Sequence, residues 1–568
     1  MRKEPHGSFL FYAGGQMSNN DYGMGLFTQV MQSITKAAMK QTGKNVAKIR
    51  SSRKASKLIE QIRLETDDET AQAAAIAYSE TESPQAALDA ARRHHAVKNP
   101  PPIHGSAHWT TIEEAQAAGV AHVGSDYGYN GRIPLGLFTT PEGEVPDTPK
   151  RWVFFDDTGH MITFAPTRSG KGFMQIIPTL ITYPGSIVCI DPKGENFDLT
   201  WRYRASLGQV YRLSPFEEET HAFNPLATIE GFDDARAIAE TLFQRTANSE
   251  GKFWENIAIN LLSAVIFHVS EYAPEDRQTL PEVRRVLTLP LKEFIEFMAG
   301  MATSEIYPAL ANAANSFLEQ ETKGQASIRQ TLDSEMAIWD DPALRRAVSS
   351  NDIDFASLKE GTGTVYINIP FDKMESHGAF IRLVLATALK GMTKTLGELP
   401  VPVLYILDEF ASIGRFETLS KGSSYLAGYG VRLWFFAQNL AQLKDAYPDS
   451  YETLLSETMV RTFFGCRDPA TCKLIEDMAG TRTVAYESRS SSSSFDKEGG
   501  NTSDGVQYSP SPLIAADEVR DILGVKAETE PTRTAFHFID GVKGVVRTTI
   551  VGYTALDQCQ HRISPPNS

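Results

Sequence analysis

The spacing of apolar residues changes character three times along this chain. From about Leu26 to Arg93 they recur at helical intervals in a polar, alanine-rich stretch that closes at the turn-prone Asn99-Pro100-Pro101-Pro102, so residues 1–103 read as a helical extension. From about residue 151, short β-rich runs alternate with helical stretches. The runs are 161–165, 187–191, 209–213, 364–369, 403–407, 432–437, 460–465, 533–539 and 545–551. Several are uninterrupted apolar segments, the pattern of parallel strands buried on both faces, and a doubly wound, mostly parallel α/β sheet follows. Between about 222 and 357 the strand signal is lost, and helical periodicity runs through 235–246, 253–268, 280–287 and 326–340. This predicts an all-helical domain inserted into a sheet domain built from 104–221 and 358–568. The serine run from Ser488 to Ser494, with the glycines and polar residues that follow to Ser511, reads as a flexible loop over 488–511, because it cannot bury apolar surface.

Composition adjusts this picture in a few places. A length of 568 residues exceeds one ordinary core and suits two or three domains; 42% hydrophobic and 10% aromatic residues are enough to bury them. The net charge of −15 rules out a surface coated in basic residues, so nucleic-acid contact would need a local patch or a channel. One such patch lies in the extension: Lys36, Lys40, Lys44 and Lys48 recur every four residues and are joined by Arg50, Arg53, Lys54 and Lys57, with no acid between Lys36 and Ile59. It reads as a solvated helix face, a DNA contact or a contact with an anionic membrane surface. The four cysteines form no CxxC and no Cys/His metal spacing, which fits a reducing compartment. With no run of 18 apolar residues, the chain is expected in the cytoplasm.

Candidate chemistry gathers at three strand ends. The segment Ala165-Pro166-Thr167-Arg168-Ser169-Gly170-Lys171-Gly172 lies between a strand and a helix. Against the phosphate-loop template G-x-x-x-x-G-K-[ST], Gly170 and Lys171 match, while Ala165 and Gly172 replace the first glycine and the hydroxyl residue. That setting aims backbone N–H groups and the positive end of a helix at phosphate. The missing hydroxyl normally donates a Mg2+ ligand, so a metal would rely on Asp408, phosphate oxygens and water, aided by Ser169 or Thr167. The apolar run Val403-Leu-Tyr-Ile-Leu ends in Asp408-Glu409, placing two carboxylates at the carboxyl edge of the sheet; Asp408 can orient Mg2+ and Glu409 can polarise water. Thirty residues on, Arg432-Leu-Trp-Phe-Phe-Ala ends in Gln438, an amide suited to sensing a γ-phosphate or simply to capping the next helix.

With these residues in view, the chain resembles the coupling proteins of type IV secretion and conjugation systems over roughly His104 to Tyr553. The resemblance rests on HGSAHWTTIEEAQAAGV, on APTRSGKG running into IIPTLITYPGSIVCIDPKGEN, on Phe253-Trp254, and on LDEFASIGRFETLSKGSSYLAGYGVRLWFFAQNLAQL. It implies a RecA-like P-loop ATPase, working as a homo-hexamer with ATP and Mg2+, that brings relaxase–DNA complexes or effector proteins to a type IV secretion channel and holds single- or double-stranded DNA largely without regard to sequence. Pro166 to Gly172 would then cradle the nucleotide, Lys171 bind the β/γ-phosphates, Asp408 serve the metal, Glu409 activate water and Gln438 couple hydrolysis to motion. Asp191, Lys193 and Glu195 fall on a recurrent motif of the family, with a purely structural role in that turn equally open. The insertion would face the cytoplasm and meet substrates.

Typical members begin with two transmembrane helices, whereas residues 1–103 contain none. Association with the cytoplasmic face of the inner membrane would come through a partner or the basic N-terminal helix. Arg415, Arg432, Arg461 and Arg467 are all candidates for an arginine acting across a ring, and ordinary salt bridges explain each as well. A nucleotide-binding scaffold without turnover, or a cytosolic DNA translocase, are the alternative functions.

Overall fold

A computed structural model of the chain describes residues 45–123, 131–146, 151–243, 249–397, 399–416, 419, 425–492, 501–524 and 530–563. They form two compact units: the chain up to Ala107 together with Gly480–Leu513, and His108–Ala479 together with the chain from Ile514 onward.

The strands are β1 (Ala121–Val123), β2 (Ile133–Phe138), β3 (Arg151–Phe155), β4 (His160–Phe164), β5 (Ile187–Ile190), β6 (Gln209–Leu213), β7 (Gly363–Ile367), β8 (Val403–Leu407), β9 (Val431–Ala437), β10 (Thr458–Phe463), β11 (Thr481–Ser492), β12 (Asn501–Pro512), β13 (Thr532–Ile539) and β14 (Val546–Val551). In the larger unit, twelve of them make one sheet in the order β1-β3-β2-β14-β13-β10-β4-β9-β8-β5-β7-β6. From β10 to β6 every pairing is parallel. Beyond β10 every pairing is antiparallel.

The parallel half is the expected α/β sheet, and its apolar runs are buried on both faces: β4, β5, β7, β8 and β9 are buried at every position. After β4 the chain passes β9 and β8 to enter β5, and such a switch point opens a crevice at the carboxyl ends of the strands. The antiparallel flank contains three strands that the periodicity did not reveal: β1, β2 and β3. In β2, Pro134 and Gly136 break the pattern; the register shifts between them, and a Cβ on Gly136 would lie 2.7 Å from Thr548 Oγ1 on β14.

The insertion between β6 and β7 contains helices Phe232–Leu242, Ser249–Tyr272, Leu280–Leu287, Leu291–Ala302, Pro308–Leu318, Thr322–Met336 and Pro342–Ala347. Leu291–Ala302 and Pro308–Leu318 had no counterpart in the sequence pattern. Among the described residues, Phe253–Tyr272 alone is long and apolar enough to cross a membrane, and 61% of its apolar window is buried as the central helix of this insertion. Arg284, nearly enclosed, anchors the far end through Asp333 at 2.8 Å and Asp340 at 2.7 Å.

The smaller unit carries helices Asn45–Glu65, Asp68–Thr81 and Pro84–Lys98 around an alanine-rich core that includes Ile59, Ile62 and Tyr78. Asp67 and Ser83 set the starts of the second and third by accepting N–H bonds from Thr70 and Ala86. Lys48, Arg50, Arg53, Lys54 and Lys57 ride on the first helix, whereas Leu26, Lys36, Lys40 and Lys44 lie outside the described residues. The flexible loop expected over 488–511 is corrected at 488–492 and 501–511, where β11 and β12 pair antiparallel from Thr481↔Pro512 to Ser492↔Asn501; residues 493–500 lie outside the described residues. A two-strand ladder satisfies the backbone without burying apolar side chains, and cross-strand polar pairs such as Tyr486 Oη to Gln507 Oε1 at 2.9 Å replace the missing core.

Close packing makes opposite predictions for two glycines. A Cβ on Gly208, just before β6, would stand 1.7 Å from the Thr362 carbonyl oxygen at the start of β7, whereas one on Gly300, inside the helix Leu291–Ala302, meets nothing within 4 Å. Gly208→Ala should cost about 1–3 kcal/mol and lower the thermal midpoint of the full chain. Gly300→Ala should gain about 0.5–1 kcal/mol and raise it. Equal midpoints for the two variants would contradict the packing described.

Candidate functional site

The carboxyl tips of β4, β9 and β8 lie side by side, and each carries one part of the site. Beyond β4, Ala165 is fully buried and its N–H donates to Ala437 O at 2.9 Å, continuing the ladder with β9. This position needs no glycine, which accounts for the departure from the template. The turn is made further on, by Arg168 at φ 63° and Gly170 at φ 89°. Ser169 N–H donates to Pro166 O at 3.1 Å and Met174 N–H to Gly170 O at 2.7 Å, which launches the helix whose first residues are Gly172–Ile176. Pro166, Thr167 and Arg168 are at least partly open to solvent.

From this loop Lys171 Nζ reaches Asp408 Oδ1 at 2.7 Å and also pairs with Glu409 Oε1. Glu409 takes a second bond on its other oxygen, from Gln438 Nε2 at 2.9 Å. Lys171, Asp408, Glu409 and Gln438 are therefore one connected cluster, assembled from three strands. Burial pushes the Asp408 carboxyl above its usual range, opposed by the Lys171 charge. Burial pulls the Lys171 ammonium down, but the two carboxylates outweigh it and hold its pKa above the ordinary lysine value. Glu409 itself stands at φ 52°, a left-handed conformation that costs a non-glycine residue on the order of 1 kcal/mol and aims its carboxylate back at the loop.

A phosphate with a hard cation suits these residues. The first N–H groups of the helix after Lys171 have no partner within the helix. Ser169 Oγ is buried without a hydrogen-bond partner. At Gly172 a Cβ would meet only Asn196 Oδ1, at 3.9 Å, so the loop has room there. Among the described residues no group of three or more His, Cys, Asp or Glu is arranged to hold a metal, so a cation here would draw on Asp408, Glu409, phosphate and water.

The neighbouring DPKGE motif is structural in its details. Asp191 Oδ2 accepts from Phe197 N–H at 2.9 Å, and its carbonyl accepts from Asn368 Nδ2 at 3.0 Å. Burial pushes the Asp191 carboxyl up to about 6, against the pull of the Phe197 and Asn196 N–H groups. Lys193 and Glu195 point to solvent. Of the four arginines, Arg432 is ruled out as a mobile reagent: it is 1% exposed at the amino end of β9, far from Gln438, and donates to the carbonyls of Gly131 and Asp157. Arg461 is held by Asp540, and Arg415 pairs with Asp449 at 3.4 Å. Arg467 is exposed just past the carboxyl end of β10. Sequence reasoning missed Asn196, Asn368 and Gln442, whose Oε1 accepts from Gln438 N–H at 3.0 Å. Asn368, a polar residue at the tip of an apolar strand, carried the same signal as Gln438.

Residues 134–527 match the family model described as Type IV secretory system Conjugative DNA transfer. Protein VirD4 of Rhizobium radiobacter is 28% identical over 404 residues, covering 68% of this chain and 56% of that protein. Conjugal transfer protein TraG of Escherichia coli is 27% identical over 465 residues, covering 75% of this chain and 72% of that protein. The chain thus spans little more than half the length of the first relative. Among solved structures, plasmid coupling protein TrwB in complex with ADP and Mg2+ superposes with a TM-score of 0.53 at 15% identity, over 70% of this chain and 87% of that one. At that identity the likeness is one of fold, the RecA-like P-loop α/β architecture. The family match extends over well over half of the chain, which therefore belongs to the Type IV secretory system conjugative DNA transfer family.

Proposed function

We propose that this chain is an ATP-driven coupling motor that receives relaxase–DNA complexes or effector proteins and delivers them to a type IV secretion channel. The observation that carries this reading is the single connected cluster of Lys171, Asp408, Glu409 and Gln438 at the carboxyl edge of a RecA-like sheet, in a member of a conjugative DNA transfer family. TrwB, of the same fold, has been solved with ADP and Mg2+. Assembly as a homo-hexamer, sequence-independent contact with DNA, and association with the inner membrane through a partner or the basic N-terminal helix belong to the same proposal.

In this mechanism Pro166 to Gly172 surround the phosphates, and Lys171 turns its ammonium from the carboxylates to the β/γ-phosphate oxygens, offsetting their charge. Mg2+, held through Asp408 and water, would draw off charge from the same oxygens. Once released by Lys171, Glu409 accepts a proton from the attacking water, with Gln438 fixing its orientation at 2.9 Å. Because Gln438 N–H is tied to Gln442, any shift of Glu409 is passed to the helix Leu440–Ala446. The helical insertion recognises the transported substrate.

Glu409→Gln should bind ATP like the parent yet hydrolyse it roughly 10² times more slowly, because the amide keeps the contacts and loses the base. Steady-state hydrolysis with DNA and Mg2+, compared with equilibrium binding of ATP, measures both. Identical background rates in parent and variant would favour a scaffold that holds nucleotide without turnover. For the insertion, the exposed Phe253, Tyr272 and Ile306 are the probes, at 56%, 51% and 75% exposure. Their replacement by serine should abolish transfer of particular cargo in a mating or secretion assay while leaving ATP affinity unchanged. Parallel loss of ATP binding would refute this division of labour.

A further inference from the structure

Arg382, on the helix Gly378–Thr393, is 1% exposed and lies at a junction of three segments. Its Nη1 donates to Ile413 O at 2.7 Å, its Nε to Thr241 O at 3.3 Å and its Nη2 to Leu242 O at 3.4 Å. Thr241 and Leu242 close the helix Phe232–Leu242, the first of the insertion, so the guanidinium sits on the negative end of that helix. Ile413 closes the short turn Phe410–Ile413 that begins directly after Glu409.

Three further features make this junction stiff. Phe410 lies between Phe435 and Tyr447, with ring centroids 4.9 and 5.5 Å away, so a displacement of Glu409 cannot be absorbed by its neighbour. At Gly378 a Cβ would come within 2.7 Å of Ile413 O, so the helix start is shaped to let that carbonyl reach Arg382. On the insertion side, Lys390 ties the same helix to Asp234 at 2.6 Å and to Thr228 O at 2.9 Å. The helices Gly378–Thr393 and Phe232–Leu242 are thereby fastened at both ends.

We propose that Arg382 is a positioning residue that links Glu409 to the entrance of the helical insertion, so that hydrolysis and substrate engagement bias one another. This rests on the motor reading above. A movement of Glu409 during turnover pulls on Ile413 O, and Arg382 passes it to Thr241 and Leu242. Linkage is reciprocal for binding, so cargo on the insertion alters nucleotide affinity by the same factor.

Hydrogen exchange read by mass spectrometry tests this on the full chain, with and without a non-hydrolysable ATP analogue and Mg2+, alongside steady-state kinetics. In the parent, the nucleotide should slow exchange both at 165–175 and at 232–242. In Arg382→Lys, a single amine cannot reach three carbonyls at once. Protection at 165–175 and KM should stay within about twofold of the parent, the response at 232–242 should vanish, and kcat should fall about tenfold. Lys390→Met, which loosens the same helix pair without touching Ile413, should keep both responses. Arg382→Lys retaining the 232–242 response and the parent kcat would overturn the inference, as would equal loss of both responses in Arg382→Lys and Lys390→Met. A parent that responds at 165–175 alone sinks only this inference; one that responds at neither sinks the nucleotide-site reading as well.

Discussion

The larger unit is organised around one electrostatic arrangement: a lysine ammonium held between two buried carboxylates, Lys171 against Asp408 and Glu409. Asp408 and Glu409 are 8% and 6% exposed, a setting in which an unpaired charge would be expensive. The arrangement needs three strand tips within a side chain's reach, and only the order β4-β9-β8 brings them there. The apolar strands beneath, the switch point and the left-handed Glu409 all serve that approach. On the motor reading proposed above, a phosphate entering the loop would compete directly with the carboxylates for Lys171, giving the site two exclusive sets of partners.

Much of this was legible in the sequence, for a physical reason. Parallel strands buried on both faces leave uninterrupted apolar runs, so β4, β5, β8 and β9 stand out, and charged or amide residues at their ends mark the open edge of the sheet. What stayed hidden depends on partners distant in the chain. Pro134 and Gly136 look like punctuation until Phe154 is paired with the first and Thr548 is placed against the second. The serine-rich arms of β11 and β12 look like linker because a ladder asks for no apolar side chains. Arg432 stands level with three other arginines, as a ring-crossing candidate or a salt-bridge partner, because a sequence does not disclose that its guanidinium is spent on the carbonyls of Gly131 and Asp157. Asn196, whose amide faces the backbone at Gly172, gave no signal, since helix starts commonly carry asparagine.

Unlike Arg284 and Lys171, which end on carboxylates, two other buried cations end on backbone carbonyls. Arg204 donates to the carbonyls of Tyr183 and Gly185, at 2.5 and 2.6 Å, and Arg382 does likewise at its junction. Backbone carbonyls are fixed by secondary structure, so such a cation locates one segment against another without bringing a second titrating group into the core.

The strand β10 has a less obvious implication. It pairs parallel with β4 on one side and antiparallel with β13 on the other, and β13 and β14 stand between it and β2. The segment that matches the family ends at residue 527, whereas the sheet draws on residues as late as Val551. A fragment cut at the end of the matching segment would keep every residue of the nucleotide cluster and yet lose the two strands that join the halves of the sheet. It would expose the edges of β10 and β2 to pairing with other chains. The folding unit of this protein is thus longer than the segment that matches the family model, and boundaries for a fragment should be drawn by the sheet and not by that match.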